Sequence, residues 1–390
     1  MTVAATCVVA VAAVWPPRAS PHNPITTTVL FNREVAKIFQ QKCLQCHSGN
    51  GLAIDLTTYA AARPWAVAIK EEVLARRMPP WPAEAGYGQF ANDVGLTVRD
   101  REFLVSWVDG GVPEGDGPAP AFMDHSAHWM LGTPDALVTA KPGVVVEPGR
   151  PIEFQRFIID TGVTRETWLR AIDYKPSDKR VVRAAFFTVA ETGQYVGGWS
   201  PWRTTVQVPD GTAIRLPARA RIAVDVLYQS APEQVVDTPQ LGLYFAAAAP
   251  ARELITTVLE PPVSARTAAD AGSSRLTAAF PLRVDTAIVE VRPELGPGAR
   301  SIEVKAKRPD GSSQVLLWIR KFREEWQTSY VFQQPQMLPK GTVLQAVAYF
   351  NAAPAPAASP LRVIVSSYEP PPAPVTDALG PRPPASARQR

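Results

Sequence analysis

The sequence predicts a multidomain chain, α followed by all-β: one small helical domain, then two antiparallel β-sandwich domains. Three observations carry this. Apolar residues recur at helical spacing between residues 30 and 111. Beyond a Gly/Pro linker at Gly115 to Pro120 the pattern changes to period two. Forty prolines in 390 residues exclude long uninterrupted helices through most of the chain. That length suits two or three domains, and an apolar content of 46% supplies ordinary globular cores. The expected boundaries are a leader at 1–22, the helical domain at 30–116, the sandwiches at 122–249 and 250–369, and a disordered tail at 370–390.

The leader rests on Val3 to Val14, an apolar run too short to span a bilayer but suited to a signal-peptide core. No other stretch qualifies as transmembrane, so no stable membrane insertion is expected. The net charge of +4 is modest, and the Lys and Arg residues are scattered. No basic block points to nucleic acid.

Within the helical domain Phe31, Val35, Ile38 and Phe39 share a helical face. Thr58 is placed to cap a second helix running to Ala75, with Val67, Leu74 and nearby alanines on its inner face. Thr97-Val98-Arg99-Asp100 has the form of a capping box. It opens a helix carrying Phe103, Leu104, Trp107 and Val108, which Gly110-Gly111 stops. Three helices in so short a segment make a core that is marginal alone.

Directly after the first helix stands Cys43-Leu44-Gln45-Cys46-His47. A Cys-x-x-Cys-His run is the attachment pattern of a c-type haem: both thiols add to the porphyrin vinyl groups and the next imidazole reaches the iron. The third and last cysteine is Cys7, inside the expected leader. A four-ligand zinc site needs a second ligand pair, and no second Cys-x-x-Cys exists; a reducible dithiol is the remaining alternative. One covalent haem c is therefore the expected cofactor, which places the protein in the periplasm or among secreted proteins.

For the other axial position Met78 is the best placed side chain, in Arg76-Arg77-Met78-Pro79-Pro80-Trp81. Proline after Met78 extends the backbone, and two fixed φ angles stiffen the loop. Met123, Met130, His125 and His128 are the other side chains in range, and a plain core role is the alternative for Met78. Arg76 and Arg77 are candidates for the haem carboxylates, Trp65 and Trp81 for packing against the ring. The candidate site is thus Cys43, Cys46, His47 and Met78, with His47 and Met78 on the metal. Asp124-His125-x-x-His128 lacks a third ligand nearby and reads as a solvated linker segment.

Arg221 to Tyr228 puts Ile222, Val224, Val226 and Tyr228 on one face of a strand. Ser301 to Lys307, Gln314 to Arg320, Thr328 to Phe332, Val343 to Phe350 and Leu361 to Ser367 behave alike. Pro309-Asp310-Gly311-Ser312 supplies a hairpin turn. An internal echo, Leu216-Pro217 before a strand ending at Tyr228 and Leu338-Pro339 before one ending at Tyr349, supports two sandwiches divided near Pro250 to Arg252.

These residues bring a family into view. The segment from Phe31 to Asp116 resembles the cytochrome c module found ahead of bacterial copper type II, ascorbate-dependent monooxygenase-like proteins. The shared marks are Cys43-x-x-Cys46-His47, Leu56-Thr57-x-Tyr59, Arg77-Met78-Pro79-Pro80-Trp81 and Trp107-Val108-Asp109-x-Gly111. The remainder resembles their catalytic half, similar to peptidylglycine α-hydroxylating monooxygenase. Its marks are Trp129-x-x-Gly132-x-Pro134-Asp135, Arg180-Val181-Val182, Leu216-Pro217-Ala218, Leu241-Gly242-Leu243-Tyr244 and Leu317-Trp318-Ile319 with Trp326-Gln327. The resemblance implies two jelly-roll sandwiches and copper held by histidines and a methionine. Where the family carries those ligands this chain has Arg183 and Ala184, Leu227, Glu294-Leu295-Gly296, and Ser366 to Glu369. No histidine occurs beyond His128, so copper is not expected.

The expectation is an exported monohaem cytochrome carrying single electrons, its metal-free scaffold docking a redox partner protein or a small electron donor or acceptor. The alternative is a copper-dependent monooxygenase fed by its cytochrome domain. Oligomeric state is not legible.

Overall fold

A computed structural model describes residues 27–49, 51–122, 128–262, 275–352 and 359–371. The expected leader with Cys7, most of the tail, Met123 and His125 lie outside the described residues. Three apolar cores divide the chain: one helical, and two inside β-sandwiches.

The helical core begins with a π-helical turn at Phe31–Val35 that leads into α1 (Ala36–Lys42). Phe31, Val35, Ile38 and Phe39 are buried on the expected face. Three further helices follow: α2 (Tyr59–Ala62), α3 (Ala66–Leu74) and α4 (Val98–Asp109). Thr58 caps α2 by accepting from Ala61 N. The single helix expected from Thr58 to Ala75 is instead broken by a 3₁₀ turn at Arg63–Trp65, because Pro64 has no N–H for the α ladder. The break rotates the register. Val67 and Leu74, expected inside, are 65% and 56% exposed, while Ala62, Ala66 and Val73 are buried. In α4 the capping box forms as expected: Asp100 N donates to Thr97, and Thr97 N donates to Asp100. Trp107 is fully buried against Phe31 and Phe39.

The Gly115 to Pro120 segment, expected as a linker, packs back on the helical domain: Asn32 Nδ2 donates to Gly115 O and Gly117 O, and the two residues before it are tied in as well. Phe31 N and Asn32 N donate to Pro113 O and Glu114 O, and Trp107 Nε1 donates to Pro113 O. Satisfying those helix-start amides holds the segment in place.

The first sandwich contains β1 (Ala136–Thr139), β2 (Val144–Val146), β3 (Glu153–Asp160), β4 (Thr167–Lys175), β5 (Val182–Val189), β6 (Tyr195–Trp199), β7 (Thr205–Gln207), β8 (Thr212–Leu216), β9 (Arg221–Tyr228), β10 (Val235–Asp237), β11 (Gln240–Phe245) and β12 (Arg252–Glu253). The second contains β13 (Ile255–Leu259), β14 (Arg275–Pro281), β15 (Thr286–Leu295), β16 (Ala299–Lys307), β17 (Ser313–Ile319), β18 (Tyr330–Leu338), β19 (Val343–Phe350) and β20 (Leu361–Tyr368).

The strand orders make the two units copies of one plan. The first pairs β1-β11-β4-β8 in one sheet and β3-β9-β5-β6 in the other; the second pairs β13-β20-β15-β18 and β14-β19-β16-β17. Counting only the eight strands named here in each unit, and leaving out the short β2, β7, β10 and β12 of the first, both read 1-8-3-6 over 2-7-4-5, the arrangement of an eight-stranded jelly roll. The echoed Leu-Pro pairs stand at one equivalent corner. Ala220 N donates to Pro217 O and Thr342 N to Pro339 O, both at 3.1 Å, where β8 and β18 cross to β9 and β19 in the opposite sheet. The expected hairpin turn at Pro309 to Ser312 joins β16 and β17, with Gly311 at positive φ.

Two further expectations are modified. The first core extends to Leu254, since β12 adds to β8 beyond the composition break at Pro250. Strand β9 is buried on both faces rather than one. Its outward Leu227 joins Ala184, Phe186 and Tyr195 against Ile364 of the second unit, so that face is the seam between sandwiches. Across the seam Arg292 stacks on Phe186 at 3.5 Å and Tyr195 bonds Ser329 at 2.6 Å. Among the described residues no helix is long and apolar enough to cross a membrane.

Candidate functional site

Helix α1 ends by running straight into the cysteine turn. Cys43 N donates to Phe39 O, and Cys46 N and His47 N both donate to Cys43 O. This places the two thiols and the imidazole on consecutive faces of one tight turn. The chain then doubles back: Ala53 N donates to Cys46 O and Leu56 N to His47 O. Gly51 is required there, because a Cβ would lie 2.2 Å from Cys46 O.

The His47 ring is fixed by its Nδ1, 3.0 Å from Ile54 O. Donation of that N–H leaves Nε2 as the lone-pair nitrogen. Burial lowers the His47 pKa, so the ring is neutral at neutral pH. Burial, with a smaller contribution from its neighbour Cys46, pushes the Cys43 thiol up to about 12; burial does the same to Cys46, also about 12.

Met78 reaches the cleft from the loop that follows α3. Helix α3 stops where Arg76 turns left-handed at φ 54°, a conformation that ends a helix. Arg77 N and Met78 N then donate to Glu72 O. Trp81 anchors the loop beyond the two prolines, packing on Tyr330 at 5.1 Å and Phe90 at 5.9 Å. From there residues 84–92 lie along the second sandwich as a strap. Glu84 N donates to Trp318 O and Ala91 N to Val331 O, while Gln333 N donates to Gln89 O. Asn92 exchanges bonds with Ser329 O and Val331 N.

Cys43, Cys46, His47 and Met78 all line one cleft, with about 750 Å³ of open space including its mouth. Leu52, Val73, Val94 and Leu96 make its helical wall apolar. The opposite wall comes from the sandwiches: Arg183, Trp202 and Gln229 of the first, Trp326 of the second. Arg183 donates from Nε to Gln229 Oε1 at 2.8 Å and from Nη1 to Glu325 O, and lies 4.2 Å over the Trp326 ring. Gln229 in turn donates to Leu52 O on the helical side. Burial lowers the Arg183 pKa, yet a guanidinium stays charged at neutral pH.

The other residues singled out in the sequence are elsewhere. Trp65 is 43% exposed and does not line the cleft. Trp81 packs on the second sandwich instead, because Tyr330 and Phe90 offer it an aromatic seat. Arg77 pairs with Glu72, and Arg76 lies 3.7 Å from Glu84. His128 and Met130 line a separate cavity. At the positions where copper ligands are implied, Arg183 is bonded as above, Leu227 lies in the seam, and Glu294 pairs with Arg292 and Arg362. Among the described residues no group of three or more His, Cys, Asp or Glu could hold a metal ion. The sandwich wall of the cleft had no local sign in the sequence; Arg183 was noticeable only as a departure from an implied histidine.

The donor set suits an iron porphyrin. Two thiols one turn apart can form thioethers, a neutral imidazole of fixed tautomer offers one axial nitrogen, and a thioether sulfur shares the cleft.

No protein-family model matches this chain, and no curated protein matches it. Among solved structures, the chain is similar to the major capsid protein P2 of bacteriophage PM2, at 9% identity over 60% of this chain and 96% of that one, TM-score 0.26. It is also similar to a peptide-N(4)-(N-acetyl-β-D-glucosaminyl) asparagine amidase, at 8% identity over 60% and 96%, TM-score 0.30. Likeness at this level has no bearing on function. The β-sandwich class rests on the strand pairing itself.

Proposed function

We propose that the protein is an exported c-type cytochrome of the kind fused to a monooxygenase-like double sandwich, carrying single electrons on one covalent haem. The observation that carries this reading is the convergence of Cys43, Cys46, His47 and Met78 on a single cleft. The cysteines would tether the group, and His47 and Met78 would take its axial positions. When bound, an iron porphyrin supplies a one-electron couple, and a histidine–methionine ligand pair raises its potential. The chain's own contribution is to exclude water with apolar walls and to hold Met78 on a loop fixed at both ends. Arg183 adds a half-buried positive charge near Cys46, which favours the less positive, reduced state of a nearby centre. The sandwiches in this reading serve for docking and for closing the cleft rather than for copper chemistry.

The test is metal content with haem staining. Full-length protein from an export host able to mature c-type haem should carry one iron per chain, stay haem-positive on a denaturing gel, and contain no stoichiometric copper. Protein with intact free thiols after such expression would end the proposal. Stoichiometric copper held by the β half would favour the monooxygenase alternative.

A further inference from the structure

The residue just before Met78 is gripped from two domains. On the helical side the Arg77 guanidinium forks onto Glu72, Nε to Oε2 at 2.8 Å and Nη2 to Oε1 at 2.7 Å. The backbone N–H groups of Arg77 and Met78 both donate to Glu72 O. The other grip comes from the second sandwich, 246 residues along the chain, where Arg323 Nη1 donates to Arg77 O at 3.1 Å. Arg77 O and Met78 N belong to one planar peptide unit. That unit is therefore bonded to α3 through its N–H and to the sandwich through its carbonyl. Rotating it would break one bond or the other, and its orientation sets the direction in which the Met78 side chain leaves the backbone.

Arg323 is itself fixed. Its Nε donates to Glu325 Oε1 at 2.7 Å. The turn around it is tied to the sandwich, since Phe322 N donates to Arg300 O and Gly298 N to Glu324 Oε1. The same turn builds part of the cleft wall: Glu325 O accepts from Arg183 Nη1, and Trp326 lies under the Arg183 guanidinium.

We propose that Arg323 is a positioning residue for Met78, so that the second sandwich sets how firmly the sixth position of the haem is closed. The effect at iron rests on the cytochrome reading, whereas the clamp on the Arg77–Met78 peptide needs no iron.

The test compares the exported full-length protein with Arg323→Gln, Arg323→Lys and Arg320→Gln, by amide hydrogen exchange and by imidazole titration, with thermal melts to check folding. Arg323→Gln should speed exchange of the Arg77 and Met78 amides about fivefold, the worth of one hydrogen bond partly open to water. Added imidazole should bind more tightly by a similar factor, with a weaker methionine-to-iron band. Arg323→Lys keeps a cation and a donor and should recover most of both effects. Arg320→Gln removes the same charge from an exposed pair with Glu84 and should change neither. Unchanged exchange in Arg323→Gln, faster exchange with unchanged imidazole binding in haem-loaded protein, or equal effects from Arg320→Gln would each overturn the proposal. Exported protein with free thiols would end the cytochrome reading and with it the role at iron, while exchange at Arg77 and Met78 would still decide the clamp.

Discussion

Phe90 does not line the cysteine cleft, yet its truncation should disable the Met78 part of that cleft. Its ring is 4% exposed and packs against Trp81 at 5.9 Å, Tyr330 at 5.4 Å and Phe332 at 5.2 Å. Replacing a buried phenylalanine by alanine costs ~3–5 kcal/mol, and here most of the lost packing is between the strap that follows the Met78 loop and the core of the second sandwich. At about 1.4 kcal/mol per factor of ten, a loss near ~4 kcal/mol raises the population of undocked strap by roughly a thousandfold. The backbone bonds at Glu84, Gln89 and Ala91 remain available, so the chain as a whole should still fold. On the proposed cytochrome reading, Phe90→Ala should therefore keep covalent haem, because Cys43, Cys46 and His47 stand on the turn that follows α1. It should lose the methionine-to-iron absorption band, bind added imidazole readily and show a lower reduction potential. The assay is visible spectroscopy with imidazole titration and a potentiometric titration. A variant that is destabilised yet retains the native band, potential and closed sixth position would refute the claim that the strap holds Met78.

Further variants address the remaining parts. Met78→Ala should open the sixth position and lower the potential while haem stays attached; an unchanged spectrum would exclude Met78 as a ligand. Gly51→Ala places a Cβ 2.2 Å from Cys46 O, so the yield of haem-stained protein should fall sharply, and undiminished yield would count against the turn geometry. Thr97→Ala removes the α4 cap and should cost ~1 kcal/mol in denaturant unfolding of the helical domain, with no change in potential. Asp237, fully buried, accepts from Ser177 N, Ser177 Oγ and Tyr228 OH, and burial raises its pKa. The native state therefore holds that proton more tightly than the unfolded chain does. The stabilisation is full below the ordinary value of 3.8 and is lost as the pH rises through the raised one. Unfolding compared with Asp237→Asn should show the wild-type gaining relative stability on acidification; the opposite slope would contradict this sign.

Much of the architecture is legible because local signals agree with the tertiary result. Thr97 and Asp100 mark a helix start in any context, and the Leu-Pro corners sit where each jelly roll changes sheets. The register of α3 was not legible: Val67 and Leu74 fit an unbroken helix, and only the 3₁₀ turn at Pro64 moves them outward. The second face of β9 was equally hidden, since Leu227 is buried by a neighbouring domain that periodicity cannot represent. For the site, the cysteine turn and Met78 could be named because covalent and loop chemistry constrain residue types in sequence. The opposite wall is built from Arg183, Trp202, Gln229 and Trp326, brought in by sheet topology from distant points of the chain. Nothing local distinguishes them from other core or surface side chains.

That far wall has a consequence for biosynthesis. The thiols emerge from the ribosome early, and the residues that wall them on the far side follow much later in the chain. If the protein is the exported cytochrome proposed above, the turn stands open to whatever enzyme installs the prosthetic group until both jelly rolls have folded. On that reading attachment belongs to the interval before assembly finishes, and a chain that misses it folds its second wall over unmodified cysteines.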